Sequence, residues 1–413
     1  MQNQIKYNKF YHECTNCGQQ FDDRRIRYLC PDCEAFNTPR LPPKGVLKTL
    51  YNYSKINKNY TQLKQNKFLD LIPIKNLEKL PNLKVGNTPL YFADKINNTP
   101  LPFQLFLKDD SQNPTYSFKD RASSLVSAFA KEQNIDTIIT ASTGNAGSSL
   151  AGMCAAQRQN AIIFLPESAP VGKLTQSLMY GAKVVRIEGT YDDAFELSIE
   201  TTKKYGYYNR NTAFNPLTIE GKKTVSFELF EQLGSQVPDR VFVPVGDGVI
   251  ISGVYKGFED LLKLGIIKSM PVVVAIQSEG SDNLVRNITE KAFNSKPGGT
   301  IADSISVEVP RNFYMAREFI HKYNGELLTV TDDQIMEASM NLAMNTGIFA
   351  EPAAAAAFAG FYSYYQKNML PENSINVVLL TGSGLKDLKA TNEILKIPEA
   401  ISPELNQLKK VLS

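Results

Sequence analysis

From residue 104 onward the chain repeats one unit: a short apolar run, a small-residue turn, then a helical pattern. Leu105-Phe106-Leu107, Thr137-Ile138-Ile139-Thr140, Ala161-Ile162-Ile163-Phe164-Leu165 and Lys183-Val184-Val185-Arg186-Ile187 read as strands. Helical patterns follow them at 122–131, 150–156, 173–180 and 191–205. The rhythm resumes after residue 238 with strands at 240–245, 271–276 and 376–380. Strands that are apolar along nearly their whole length are covered on both faces, as in a parallel sheet flanked by helices. Two groups of such units predict two three-layer α/β domains with a cleft between them. The 413 residues are 43% hydrophobic, enough for more than one core. The expected division is a small domain at 114–215, a large one at 46–113 plus 216–413, and a separate module at 1–45.

That N-terminal module holds four of the five cysteines, as Cys14-Thr15-Asn16-Cys17 and Cys30-Pro31-Asp32-Cys33, with twelve residues between the pairs. Four thiolates at this spacing suit tetrahedral Zn2+ in a ribbon. Gly18 and Pro31 are turn formers, and Ile26-Arg27-Tyr28-Leu29 is predicted to be a short strand. No open ligand position is visible, so the expected metal is structural. Two disulfides are the alternative, unusual in a chain whose start lacks the apolar core of a signal peptide. Ribbons can also bind nucleic acid. Here Arg24, Arg25 and Arg27 stand beside Asp22 and Asp23, which reads as a solvated face. A net charge of +3 without a Lys/Arg run adds no argument for a nucleic-acid partner. No apolar stretch approaches the ~20 residues of a membrane helix. The expectation is a soluble, cytoplasmic protein. Pro39, Pro42 and Pro43 mark a linker, and 55–67 is a polar surface segment.

Four turns carry candidate chemistry. Lys119, in Asn113-Pro114-Thr115-Tyr116-Ser117-Phe118-Lys119-Asp120-Arg121, follows a turn and opens a helix, where the dipole favours a neutral amine. Such an amine forms Schiff bases with carbonyls. Alone, a lysine beside Asp120 and Arg121 is more often a solvated surface group. Ser142-Thr143-Gly144-Asn145 follows a strand and opens a helix, so its amides and hydroxyls can hold a carboxylate; the plainer reading is a cap. Gly246-Asp247-Gly248-Val249-Ile250 can curl its amides around a phosphate, although a lone Gly-x-Gly is weak. Thr381-Gly382-Ser383-Gly384 presents hydroxyls at a strand end, or only caps a helix. With only His12 and His321, a histidine triad is not expected, and His12 is placed beside the ribbon. Cys154 reads as core, and Tyr205, Tyr207 and Tyr208 as packing beneath a loop.

In this order and spacing the turns resemble the fold type II, tryptophan-synthase-β-like enzymes that use pyridoxal 5′-phosphate (PLP), and within them the threonine-synthase-like members. The similarity runs from about Gly86 to Asp387. It includes 114–121, 141–145, Asn215-Pro216 with Glu220-Gly221-Lys222-Lys223-Thr224, 347–353 and 381–387. An N-terminal zinc ribbon also occurs in some of these proteins. The resemblance implies that Lys119 binds the cofactor covalently and removes the substrate's Cα proton. It implies that Asn145 bonds the cofactor's phenolic oxygen and that Gly246, Asp247, Gly248, Val249 and Ile250 cup its phosphate. It further implies that Thr381 meets the pyridine nitrogen, and that Ser142 and Thr143 hold a substrate carboxylate. The implied metal ligands are Cys14, Cys17, Cys30 and Cys33, the implied partner a small amino acid, and the implied assembly a homodimer.

The implied activity is a carbon–oxygen lyase of amino-acid biosynthesis, converting O-phosphohomoserine and water to threonine and phosphate. The alternatives are a serine/threonine ammonia-lyase, a β-replacement enzyme on an O-activated serine, or a non-catalytic ribbon-bearing binding protein. Three positions depart from the family pattern. Its cup reads Gly-Asn-x-Gly-Asn, so Asp247 is expected to point away from a phosphate. Tyr116 stands where the family has glycine. Thr218 stands where threonine synthases commonly have an arginine suited to the substrate's phosphate. The stretch 300–305 is similar to the corresponding segment of amino-acid dehydratases.

Overall fold

The computed structural model describes residues 9–38, 40–167, 169, 171–395 and 398–412. Pro39 of the expected linker lies outside them. Near the N-terminus, β1 (Phe10–Cys14), β2 (Gln20–Asp22) and β3 (Leu47–Tyr51) form an antiparallel sheet in the order β2-β1-β3. The third strand lies beyond residue 45, the expected end of the module, and pairs Phe10 with Tyr51. The expected strand at 26–29 does not form. Only Leu29 bridges, to Val46. Tyr28 is drawn instead onto the 209–214 segment, stacking on Phe214 at 4.6 Å and accepting Asn209 N–H at 2.9 Å.

The body follows as β4 (Leu90–Ile96), β5 (Thr99–Asp109), β6 (Thr137–Ala141), β7 (Asn160–Pro166), β8 (Lys183–Ile187), β9 (Tyr208–Asn209), β10 (Arg240–Pro244), β11 (Val272–Ser278), β12 (Glu326–Val330) and β13 (Ile375–Leu380). Two sheets result, ordered β8-β7-β6-β9 and β12-β11-β10-β13-β5-β4. All their pairings are parallel except the β4–β5 hairpin. Apolar residues cover both faces of the larger sheet. Leu105, Phe242, Ile276 and Val378 pack under the alanine-rich Pro352–Gln366 helix, and Val241, Val243 and Val377 face the opposite core. Among the described residues, no helix is long and apolar enough to cross a membrane.

Helix starts at strand ends position the site. The Lys119–Glu132 helix begins before the expected Ala122 because Asp120 reaches back to Thr115, accepting its N–H at 2.7 Å and its hydroxyl at 2.5 Å. The Leu217–Lys222 helix crosses it at Gly221, where a Cβ would lie 2.2 Å from Arg121 O. Only glycine permits that approach, and it brings the 217–222 segment beside Lys119. Cys154 is buried in the Asn145–Gln157 helix and Tyr208 is buried, while Tyr205 is exposed.

Candidate active site

Lys119 sits at the first turn of its helix, and the loop before it is sewn to two others. Phe118 N–H donates to Thr381 O at 2.8 Å, and Ser383 N–H to Tyr116 O at 3.1 Å. Glu351 N–H donates to Gly382 O at 3.0 Å, and Ala350 bridges Ser383. Residues 116–118, 350–351 and 381–383, far apart in sequence, thus share one short backbone ladder. Tyr116 pays a conformational cost within it: its φ is +66°, in the left-handed region, and its ring is exposed.

The Asn145 turn faces this ladder. Asn145 Nδ2 donates to both Glu351 oxygens at 2.9 Å and to Ser304 Oγ at 3.3 Å. Ser142 Oγ accepts Gly144 N–H at 3.2 Å and Gly147 N–H at 3.0 Å, so it caps the helix while its own proton remains available to a ligand. Thr143 is half-buried in the same turn. A cavity of about 240 Å³ opens against Asn145, Ser148, Ser304, Glu351 and Lys386. Lys386 reaches in from the Thr381 loop, donating to Ser148 Oγ at 2.9 Å and Thr115 O at 3.2 Å. Burial pushes the Glu351 carboxyl up, against the pull of Asn145, Lys119 and Lys386.

The glycine turn follows β10 and opens the Val249–Lys263 helix, with Gly248 at φ +84°. Asp247 is held from the side: its Oδ1 accepts Arg311 N–H at 3.1 Å and its carbonyl accepts Asn312 N–H at 2.9 Å. Burial pushes its carboxyl up, with Arg311, Lys222 and Lys119 opposing. Lys119 faces Glu351, Arg210 and Asp247, and burial lowers its ammonium. It therefore lies between the Asn145–Glu351 end of the cleft and the glycine turn.

The structure brings Lys119, Asn145 and Thr381 together through the ladder and Glu351, and sets Asp247 within electrostatic reach of Lys119. The four cysteines lie apart, in the N-terminal sheet. Sequence reasoning missed Glu351, Lys386, Arg210 and Lys222 as site residues. Glu351 and Lys386 fall inside stretches already notable for their resemblance, so position there was a usable signal. Arg210 and Lys222 carried none, since burial of a charge is set by distant segments. His12 is buried in the N-terminal sheet with Nδ1 on Thr49 Oγ1 at 3.1 Å, and burial lowers it to about 4.

A pyridoxal-phosphate dependent enzyme has this layout, and residues 82–382 match that family. The chain belongs to it, and its cofactor is pyridoxal 5′-phosphate. Threonine synthase of Methanocaldococcus jannaschii is 34% identical over 410 residues, covering 97% of this chain and 98% of that protein. Threonine synthase of Halalkalibacterium halodurans is 34% identical over 343 residues, 82% of this chain and 94% of its own. The processed form of threonine deaminase isoform 2 from Solanum lycopersicum superposes with a TM-score of 0.65 at 24% identity, over 77% of this chain and 90% of that one. This last likeness shows the fold alone. The residues present fit the cofactor: Lys119, its ammonium lowered by burial, is set among Glu351, Arg210 and Asp247, while among the described residues Ser117 Oγ and Arg210 Nη2 are buried without hydrogen-bond partners.

Proposed function

We propose that this enzyme is a lyase converting O-phosphohomoserine and water to threonine and phosphate. The observation that carries the reading is the convergence of Lys119, Asn145 and Thr381 on one ladder, in a chain aligned end to end with a threonine synthase. When bound, pyridoxal phosphate supplies a sink for negative charge formed at the substrate carbons. Lys119 would hold the cofactor covalently and, when released, would move the proton at substrate Cα; burial lowers its ammonium, the direction a base requires. Asn145, whose Nδ2 donates to both Glu351 oxygens, would hold the cofactor's phenolic oxygen. Glu351 can store a proton beside Lys119. Thr381 would supply a hydroxyl to the cofactor's pyridine nitrogen, and the amides of 246–250 would hold its phosphate. Ser142 and Thr143 hold the substrate carboxylate. Residues 114–215 act as a small domain against 46–113 and 216–413, with the cleft between them. The test is product analysis. Phosphate and threonine in equal amounts from O-phosphohomoserine support the reading. A 2-oxoacid with ammonia from threonine or serine, and no phosphate release, would replace it with the ammonia-lyase.

The N-terminal sheet is read as a structural zinc site. The Sγ atoms of Cys14, Cys17, Cys30 and Cys33 all lie within 4.8 Å of one another. Cys14–Cys33 and Cys17–Cys30 are each 3.7 Å apart. A tetrahedron with Zn–S near ~2.3 Å has edges of about 3.8 Å, so the donor set fits. Metal analysis of the purified protein is expected to give one zinc per chain, and none after Cys17→Ser with Cys33→Ser. The implied homodimer is checked by light scattering, and a cytoplasmic location by fractionation.

A further inference from the structure

Buried cations elsewhere in this protein are ion-paired inside the fold. Lys108 meets Glu228 at 2.8 Å, Arg121 meets Asp110 at 2.5 Å and Glu228 at 2.6 Å, and Lys223 meets Glu220 at 2.5 Å and Asp260 at 2.7 Å. Lys222 and Arg210 are as deeply buried, and among the described residues neither has an ion-pair partner. Among the described residues, Lys222 Nζ has no hydrogen-bond partner. Arg210 spends Nε on Ser123 Oγ at 3.1 Å and Nη1 on Thr212 Oγ1 at 3.3 Å, and leaves Nη2 bare.

Their place in the fold is specific. The Val249–Lys263 helix lies so close on Lys222 that a Cβ at Gly253 would sit 2.8 Å from Lys222 Cβ. The glycine turn forms that helix's N-terminus, itself partly positive. Lys222 faces Arg210, Lys119 and the turn's Asp247. Asp247 accepts Arg311 N–H and burial disfavours its charge, and Asp120 and Tyr191 act on Arg210 without forming an ion pair, so the basic groups here outnumber the acids paired with them. Thr218, four residues earlier and on the same helical face, spends its hydroxyl on Asn215 O at 2.8 Å. Three cations thus gather at a positive helix end, an arrangement that is costly until an anion joins it.

We propose that Lys222 and Arg210 bind the phosphate monoester of a ligand in the cleft. Lysine supplies a point charge, and the free edge of the guanidinium supplies a directed donor, as phosphate recognition requires. Two ligands carry that group: the cofactor and, if the proposed function holds, the substrate. Only the second rests on that reading.

The test uses the holoenzyme and its Lys222→Met, Lys222→Arg and Arg210→Met variants. Cofactor retention is followed by visible absorbance during dialysis. Binding of O-phosphohomoserine and of unphosphorylated homoserine is followed by their effect on the cofactor spectrum. Lys222→Met is expected to weaken either cofactor retention or O-phosphohomoserine binding by at least about tenfold, with homoserine binding within about twofold of wild type. Loss in the ester arm alone assigns the phosphate to the substrate, and loss in the retention arm assigns it to the cofactor. Lys222→Arg keeps the charge and is expected to keep most of the affinity. A melting temperature at or above wild type for Lys222→Met separates lost binding from lost folding. Retention and ester binding both within about twofold of wild type in Lys222→Met and Arg210→Met would overturn the proposal. Wild-type enzyme that binds O-phosphohomoserine through Lys222 yet forms no threonine would sink the proposed activity and leave this inference standing.

Discussion

Lys223 donates to Glu220 at 2.5 Å and to Asp260 at 2.7 Å, and Tyr51 and Lys256 complete that cluster. Lys222, the preceding residue, points the other way, toward Lys119, Arg210 and Asp247, with no ion-pair partner among the described residues. Both lysines are buried. The first joins the N-terminal sheet to the Val249–Lys263 helix through Tyr51 and Asp260, and its charge is neutralised within the fold. The second lies beside Lys119 and Arg210 without an ion-pair partner among the described residues, and under the proposal above its charge is met by a ligand. A buried charge that is fully paired holds structure together; one that is left unpaired marks where a ligand completes the fold's electrostatics.

The contrast is tested most severely at Lys119, which belongs to the unpaired group. Lys119→Ala is expected to lower turnover by about 1,000-fold or more, because the cofactor loses its covalent anchor and the substrate its base. Steady-state kinetics on the purified variant check this, with circular dichroism to show an intact fold. Next comes the lysine pair itself. Lys223→Met leaves Glu220 and Asp260 short of a partner and is expected to cost about 3 kcal/mol in urea unfolding. Lys222→Met removes an unpaired charge and is expected to be neutral or stabilising by about 1 kcal/mol. Equal losses at both positions would erase the distinction.

The two regions should separate by pH window, one at the acid and one at the alkaline end, with stability falling as pH falls in both. Paired with Arg121 and Lys108, Glu228 is held down at about 2 from 4.5. Its contribution is present above pH 4.5 and is lost as pH falls from there through about 2. Glu228→Gln is expected to flatten that acid limb of the stability profile. Lys222, facing Arg210, Lys119 and Asp247, has its ammonium held well below 10.5 by burial. Its contribution is fully present only above pH 10.5 and is lost as pH falls, so wild type should gain stability toward alkaline pH relative to Lys222→Met. The smallest effect is expected at the rim of the cleft. Tyr116→Gly relieves a left-handed φ of +66° and should stabilise the protein by about 0.5 kcal/mol in thermal melts.

Strands at 105–107, 137–140 and 161–165 were legible because burial along nearly their whole length writes an apolar run, and the edge strand at 183–187 because of its β-branched residues. Lys119, Asn145 and Thr381 were legible because each opens or precedes a helix at a strand end, with small residues around it. The ribbon's third strand was not, since Leu47–Tyr51 pairs with residues at the other end of the module. The segment 26–29 failed because Tyr28 gains more from Phe214 and Asn209 in the 209–214 segment than from local pairing. Glu351 and Lys222 show the same limit within the site. Whether an acid or a lysine is solvated, paired or left unpaired depends on segments brought beside it from elsewhere in the chain, and no local pattern carries that information.

The account stands most directly on which lysine carries the cofactor. Reduction of the holoenzyme with sodium borohydride, followed by proteolysis and peptide mass analysis, reads this in one experiment. The expected result is a single pyridoxyl-modified peptide with the label on Lys119. Label on Lys222 or another lysine, or no label on a protein shown to be saturated with pyridoxal phosphate, would contradict it.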